Sequence, residues 1–94
     1  MPHENVIKEY EKMKLEYTNH AKEAMELMQI SDEQVKMVIH HGESTGEKLY
    51  SDGEERFLAK MEIGEATICV EYSPVGEDTY KVYTAYAYKL KVKV

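Results

Sequence analysis

The chain has 94 residues, 43% hydrophobic and 32% charged, which are the proportions of one globular domain with a modest core rather than of a disordered protein. Its net charge of −6 and its one arginine, Arg56, make it a poor default nucleic-acid binder. Its one cysteine, Cys69, excludes an internal disulfide, and no apolar run matches a membrane span or a leader, so we expect a cytoplasmic protein without membrane association.

The first part of the chain predicts an extra helix. Apolar side chains recur at helical spacing over residues 4–13, with Glu4 in the first turn where the helix dipole favours an acid. Leu15 and Tyr17 then alternate with charged residues. This pattern indicates either a brief strand or an extended lead-in to the next helix.

Two further helices are predicted before residue 43. Thr18 or Asn19 is a good N-cap for the first. Ser31 and Gln34 have the spacing of a capping box for the second, and Gly42 is a plausible residue just past its end. The apolar face of the first helix is predicted to contain Ala21, Ala24, Met25, Leu27 and Met28.

From residue 45 the period of apolar residues changes from 3.6 to 2, which predicts strands. An Asp-Gly pair at residues 52–53 predicts a hairpin, Gly64 and Glu65 a second turn, and residues 73–78 a longer loop into a last strand. We therefore predict a single α+β domain over residues 1–94, with an extra helix at 1–13, a helical part at 14–42 and a sheet at 45–94. The helices would pack on one face of a four-stranded antiparallel meander.

Alternation along the strands predicts which side chains face the helices. One face of the middle strand would carry Phe57, Ala59, Met61 and Ile63, and the same face of the next would carry Ala66, Ile68, Val70 and Tyr72. In the last strand the alternation places Tyr80, Val82, Thr84, Tyr86 and Tyr88 on one face, opposite Lys81, Tyr83, Ala85, Ala87 and Lys89.

The histidines have several interpretations. The spacing of His20 to Ala24 and Leu27 predicts a position on the apolar stripe, where the ring would be structural, catalytic or a metal ligand. The adjacent His40 and His41 point in different directions on a helix, which favours solvated histidines at the helix end. We expect no metal and no cofactor, because one cysteine cannot supply a structural zinc site.

Tyrosine is the unusual signal, with eight in the chain and four in the last strand. Tyr83 with Lys81 and Lys89 has the composition of a platform on which RNA bases stack. The same residues equally fit an aromatic patch for a protein partner or a homodimer, and the acidic charge balance favours the protein surface. Cys69 has no predicted base beside it and is interpreted as inert.

Four short segments in this order resemble a known family: "TNHA" at 18–21, "ISDEQV" at 30–35, "HHGE" at 40–43 and "VYTAY" at 82–86. The chain resembles a family of small prokaryotic proteins called domain of unknown function 4258, grouped by fold with the RelE- and BrnT-like toxins of toxin–antitoxin systems. The resemblance covers residues 15–88. The family usually has Arg-Gly before Ile-Ser, whereas this chain has Met28 and Gln29.

This resemblance implies a RelE-like fold and, for active toxins, RNA cleavage without a metal. Such cleavage needs positive charge at the phosphorane and a group that moves the 2′-hydroxyl proton. The candidates are His20 as acid or base, Arg56, Lys60 and Lys81 as phosphate contacts, Tyr86 as a supporting hydroxyl and Tyr83 in substrate binding. We therefore expect a toxin-like or toxin-derived domain with weak endoribonuclease activity and an antitoxin partner. The alternative is a non-catalytic protein-interaction or homodimerisation domain.

Overall fold

The computed structural model describes residues 9–51, 53 and 55–89. The elements in chain order are a short 3-10 helix (Glu9–Lys12), β1 (Lys14–Tyr17), α1 (Asn19–Met28), α2 (Asp32–Thr45), β2 (Lys48–Ser51), β3 (Arg56–Ile63), β4 (Ala66–Gly76) and β5 (Thr79–Tyr88). Most of the predicted helix at 4–13 and the chain beyond Lys89 lie outside the described residues. No helix within the described ranges is long and apolar enough to cross a membrane.

The predicted four-stranded antiparallel meander is wrong. The sheet has five strands in the order β1-β5-β4-β3-β2, and β1 pairs with β5 in parallel, so the sheet is mixed. The Lys14 N–H donates to the Asp78 carbonyl at 2.8 Å, and the Thr18 N–H donates to the Val82 carbonyl at 3.1 Å. The segment that the sequence left open between strand and lead-in is therefore a strand at the edge of the sheet.

Local hydrogen bonds begin both helices where the sequence predicts. The Thr18 hydroxyl caps α1 by accepting from the Ala21 N–H at 3.0 Å. The Ser31 hydroxyl accepts from the Gln34 N–H at 3.1 Å, while the Gln34 side chain accepts from the Ser31 N–H at 3.0 Å, which completes the capping box. Both N-cap predictions are confirmed.

The predicted end of α2 at Gly42 is wrong, because the helix continues to Thr45 and is capped by Gly46 in the left-handed region, with φ of 80°. Gly42 instead lies inside the helix where it crosses the sheet. A Cβ at this position would lie 2.8 Å from the Cβ of Ala59. The glycine therefore allows the close approach of helix to strand rather than ending the helix.

The core lies between the two helices and one face of the sheet, and it confirms the faces predicted for β3 and β4. Ala59, Val70 and Tyr72 are fully buried there, with Phe57 and Met61 packed against the cluster. From the helices, the buried members of the cluster are Ala21, Val35, Val38 and Ile39.

The apolar face predicted for α1 is partly wrong. Ala21 is fully buried and Met25 packs against the core, but Leu27 is 82% exposed and His20 is exposed. Successive residues of a helix are 100° apart, so His20 and Leu27, seven residues apart, share a face that lies about 100° from Ala21. The predicted position of His20 on the apolar stripe is therefore wrong.

The β4–β5 pairing differs from prediction in two ways. First, β4 continues to Gly76, so the predicted loop at 73–78 is reduced to a turn at Glu77 and Asp78. Second, Tyr72 pairs with Val82 but Glu71 pairs with Thr84, which leaves Tyr83 as the extra residue of a β-bulge. A bulge shifts the alternation by one residue, so Val82 and Ala85 both face the core. The predicted sharing of one face by Tyr80 and Tyr86 is wrong.

Candidate binding face

The second face of the sheet bears neither α1 nor α2, and the structure describes no other element on it. We call the part of this surface on β2, β3, β4 and β5 the open face. Its side chains follow from the strand registers: Leu49 and Ser51; Arg56, Leu58, Lys60 and Glu62; Thr67, Cys69, Glu71 and Ser73; Lys81, Tyr83, Thr84, Tyr86 and Tyr88.

The bulge in β5 gathers tyrosines on the open face. Because Tyr83 is the extra residue, it projects from this face together with Thr84, Tyr86 and Tyr88. Without the bulge, strict alternation would place Tyr83 and Tyr86 on opposite faces. Tyr86 and Tyr88 remain 39% and 40% exposed. Three phenols thus lie along one edge of a surface that the described helices leave open.

At one end of the open face, Arg56 lies over the Tyr83 ring, with its guanidinium carbon 3.8 Å from the ring centroid. Its Nη1 lies 3.7 Å from a carboxylate oxygen of Glu71. The Tyr83 hydroxyl is in turn hydrogen-bonded to the Ser73 hydroxyl at 3.0 Å. The guanidinium therefore contacts both the Tyr83 ring and the Glu71 carboxylate, which balances its charge.

The middle of the open face is a row across three strands: Lys60, Cys69 and Tyr86. Cys69 is 3% exposed, although it lies on the face without helices, because its neighbours cover it. Hydrogen bonding with the Cys69 thiol, followed by burial, raises the pKa of Tyr86. The shift acts above the ordinary tyrosine pKa of about 10, so the phenol is protonated at neutral pH with or without it.

An open cleft of about 930 Å³ adjoins this row at the edge of the sheet. We call it the edge cleft; it is lined by Lys60 and Tyr86 and by the two groups His41 and Glu47. It exists because β2 pairs only with Arg56–Ala59, so on the side of β3 away from β4 no described strand lies beside the second half of β3. The His41 Nε2 and a Glu47 carboxylate oxygen are 3.1 Å apart.

The contact between His41 and Glu47 was not predicted from the sequence. His41 was interpreted there as a solvated histidine at the helix end. Its only sequence signal is a carboxylate six residues later, beyond the end of α2. The pairing depends on the turn at Gly46, which brings Glu47 back toward the helix. That turn belongs to the helix C-cap rather than to any periodic pattern.

Five of the six residues predicted to form a site lie together on the open face: Arg56, Lys60, Lys81, Tyr83 and Tyr86. His20 does not join them, since it lies in the first turn of α1, in the helix layer on the other side of the sheet. The structure therefore separates the predicted acid or base from the predicted phosphate contacts. Within the described residues, no three of the His, Cys, Asp and Glu side chains are grouped so that they could hold a metal ion.

The "HHGE" segment is explained by packing beneath the sheet. The buried Tyr72 donates its hydroxyl proton to a Glu43 carboxylate oxygen at 2.6 Å, and Lys48 pairs with the same oxygen at 2.7 Å. Burial and then this hydrogen bond raise the pKa of Tyr72. Glu43 therefore ties α2 to β2 and β4.

"TNHA" has a comparable structural explanation. The Thr18 hydroxyl caps α1 and also donates to the Tyr83 carbonyl at 3.1 Å. This bond attaches the start of the helix to the bulge residue of β5. The threonine thus links the helix layer to the strand that carries the open-face tyrosines.

Comparison with known proteins agrees with the pattern of these segments. A search of curated proteins found no match, and a search of solved structures found none. A family model described as Domain of unknown function (DUF4258) matches residues 17–87. This range runs from the end of β1 to the end of β5 and includes both helices, the bulge and the open face, so the chain belongs to the DUF4258 family.

Proposed function

We propose that this domain is a protein-interaction module that binds its partner through the open face. The observation that carries the proposal is the bulge at Tyr83, which gathers three tyrosines on the one sheet face without a described helix. Tyrosine is enriched at the centres of protein interfaces, because it buries a large ring and keeps a hydroxyl for hydrogen bonding. Leu49, 69% exposed, extends the apolar part of the same surface.

The charges of the open face support a protein rather than a nucleic acid as the ligand. Three cations, Arg56, Lys60 and Lys81, share the face with the carboxylates of Glu62 and Glu71. Binding to a phosphate backbone depends on clustered unbalanced cations. A nearly neutral surface with a tyrosine centre is the composition of a protein interface.

The resemblance to toxin families gives this proposal its setting. In a toxin–antitoxin pair the antitoxin binds the toxin, and we propose an antitoxin-like protein as the partner of this domain in the cytoplasm. The relevant gene is the reading frame beside this one. Co-expression of the two products should yield a stable complex in which the open face is buried.

Site-specific photocrosslinking in cells tests the proposal directly. A photoreactive amino acid at position 86 lies on the open face, and one at the 82% exposed Leu27 position lies on α1 as the matched control. We expect a discrete crosslinked partner from position 86 and none from position 27. Crosslinking from position 27 alone would place the interface on the helix layer and contradict the proposal.

The isolated complex then allows a quantitative test by calorimetry. A central interface tyrosine replaced by alanine costs at least about 2 kcal/mol, or roughly a thirtyfold loss of affinity. We expect this loss for Tyr86→Ala and no change for Leu27→Ala. Equal affinity of the Tyr86 variant and the unmodified protein would refute the role of the open face.

One specific observation favours a second candidate, an endoribonuclease that does not use a metal. Five predicted RNA-contacting residues lie on one surface, where the exposed Tyr86 provides a ring for base stacking and Lys60 and Lys81 provide charge. Purified protein incubated with messenger RNA tests this function. Cleavage that is lost in Arg56→Ala but kept in His20→Ala would support an open-face active site. Intact RNA would contradict the endoribonuclease function and leave protein binding as the proposed function.

A further inference from the structure

The edge of the sheet formed by β1 is a surface that the proposed function does not use. The Lys14 and Thr18 N–H groups donate to β5. Since alternate residues of a strand direct their main-chain groups to opposite edges, the N–H and C=O groups of Leu15 and Tyr17 point away from β5. No described strand pairs with that edge. Unpaired edges of this kind are templates for another strand.

The side chains of β1 determine which strand fits. Glu16 pairs with Lys81 and therefore lies on the open-face side, as does Lys14, and both are exposed. Leu15 and Tyr17 lie on the helix side, where both pack against the core. The strand thus carries one cation and one anion two residues apart on one face, with an apolar residue between them on the other.

We propose that β1 pairs with β1 of a second copy of this chain, antiparallel, about a two-fold axis through Leu15. In this register Leu15 faces Leu15 of the second copy as a hydrogen-bonded pair, and the two residues exchange both main-chain bonds. Lys14 then faces Glu16 of the second copy, and Glu16 faces Lys14. These are non-hydrogen-bonded pairs, in which opposite side chains lie closest, so two reciprocal ion pairs form.

Charge selects this register over its neighbour. An axis through Glu16 would pair Leu15 with Tyr17 of the second copy and would place the two Glu16 carboxylates directly opposite each other. Like charges directly opposite are destabilising, whereas the axis through Leu15 matches every charge of the strand with its opposite. The strand is therefore complementary to itself in one register.

The dimer would join two five-stranded sheets into one ten-stranded sheet. A two-fold axis perpendicular to a sheet keeps its faces, so both open faces would lie on the same side. A partner with two binding segments would then engage both at once. This consequence extends the proposed function, but the dimer stands without it, since it uses β1 and not the open face.

Charge reversal tests the pairing by its reciprocity, with sedimentation equilibrium as the measurement. Glu16→Lys places two lysines opposite two lysines, and Lys14→Glu does the same with glutamates. We expect each to weaken dimerisation about tenfold or more, while Lys14→Glu/Glu16→Lys restores it. An equimolar mixture of the two single variants should form heterodimers. The exposed Glu23→Lys on α1 is the control and should dimerise like the unmodified protein.

Cysteine crosslinking tests the register in a Cys69→Ala background with copper–phenanthroline as oxidant. Hydrogen-bonded antiparallel pairs have Cα atoms about 5.5 Å apart, within reach of a disulfide. We expect Leu15→Cys to crosslink and Glu16→Cys to remain monomeric on a non-reducing gel. A protein that is monomeric at all concentrations, or single charge variants that dimerise normally, would overturn the proposal. Crosslinking at position 16 alone would overturn the register.

Discussion

Gly42→Ala tests the closest contact between helix and sheet. The added methyl would lie 2.8 Å from the Ala59 Cβ and 3.4 Å from the Tyr72 hydroxyl. Carbon atoms prefer to be about 3.5–4.0 Å apart, so α2 must move away from β3 by up to about 1 Å. The Ala59 Cβ is fixed to the backbone and cannot turn aside.

The magnitude follows from one stabilising term and two destabilising terms. Alanine in place of glycine inside a helix stabilises by about 1 kcal/mol. Overpacking costs about 1–3 kcal/mol. The helix movement also strains the Tyr72–Glu43 hydrogen bond, of a kind worth about 1.5–3 kcal/mol, discounted here because the Glu43 side chain is 28% exposed. We expect a net loss of about 1–2 kcal/mol, which is a fall in Tm of roughly 4–16 °C for a domain of this size.

Urea unfolding of four proteins measures this effect: the unmodified chain, Gly42→Ala, Ala59→Gly and the double variant. Removing the Ala59 methyl makes room for the new one, so the double variant should be more stable than the sum of the single losses predicts, by about 1 kcal/mol or more. A Gly42→Ala protein as stable as the unmodified chain, with additive double-variant energies, would refute the steric argument.

Three further predictions concern the cap, the buried phenol and the thiol. Thr18→Ala removes the N-cap of α1 and its bond to β5, and should lower the free energy of unfolding in urea by about 1–2 kcal/mol. In the unfolded chain, tyrosines lose their phenolic protons above the ordinary pKa of about 10, whereas burial keeps Tyr72 protonated in the folded protein. The free energy of unfolding should therefore fall as the pH rises above 10. The expected slope is up to about 1.4 kcal/mol per pH unit for each such tyrosine. Tyr72→Phe should lessen that slope in urea titrations at pH 8–11, and an unchanged slope would assign it to other groups. Cys69 is 3% exposed and should react slowly with Ellman's reagent. Tyr86→Ala should raise that rate severalfold, because the phenol lies beside the thiol. Equal rates for the two proteins would show that residues other than Tyr86 shield the thiol.

The helix starts and the β3–β4 core face were predictable from the sequence because they depend on residues close together in the chain. Thr18, Ser31 and Gln34 satisfy N–H groups within three residues, so the capping pattern is readable without the fold. Alternation along β3 and β4 likewise gave the correct buried side chains, since neither strand contains a bulge before Tyr72.

The site was less predictable. Residue chemistry selected Arg56, Lys60, Lys81, Tyr83 and Tyr86, and the structure places all five on one face, but their roles stay predictions. His20 was grouped with them as a candidate acid or base, and its spacing to Leu27 placed it on the predicted apolar stripe of the helix. The spacing does not show that the side of the helix with His20 and Leu27 faces solvent, because the orientation of α1 depends on its contact with β5. His41 was interpreted as solvated because it and His40 point in different directions on a helix, and its contact with Glu47 forms only through the C-cap at Gly46.

By itself, the sequence determined the elements whose hydrogen bonds close within a few residues: both helix N-termini, the change from helix to strand period, and the hairpin. Only the tertiary structure decided the parallel pairing of β1 with β5, where register partners are 65 positions apart, as Thr18 and Tyr83 are. It also decided the bulge at Tyr83. The physical reason is that the alternation of a four-residue segment fits a strand or a lead-in and does not specify its neighbour, while a one-residue insertion leaves no periodic pattern. Each is stabilised by a neighbour that is close in the fold and distant along the chain.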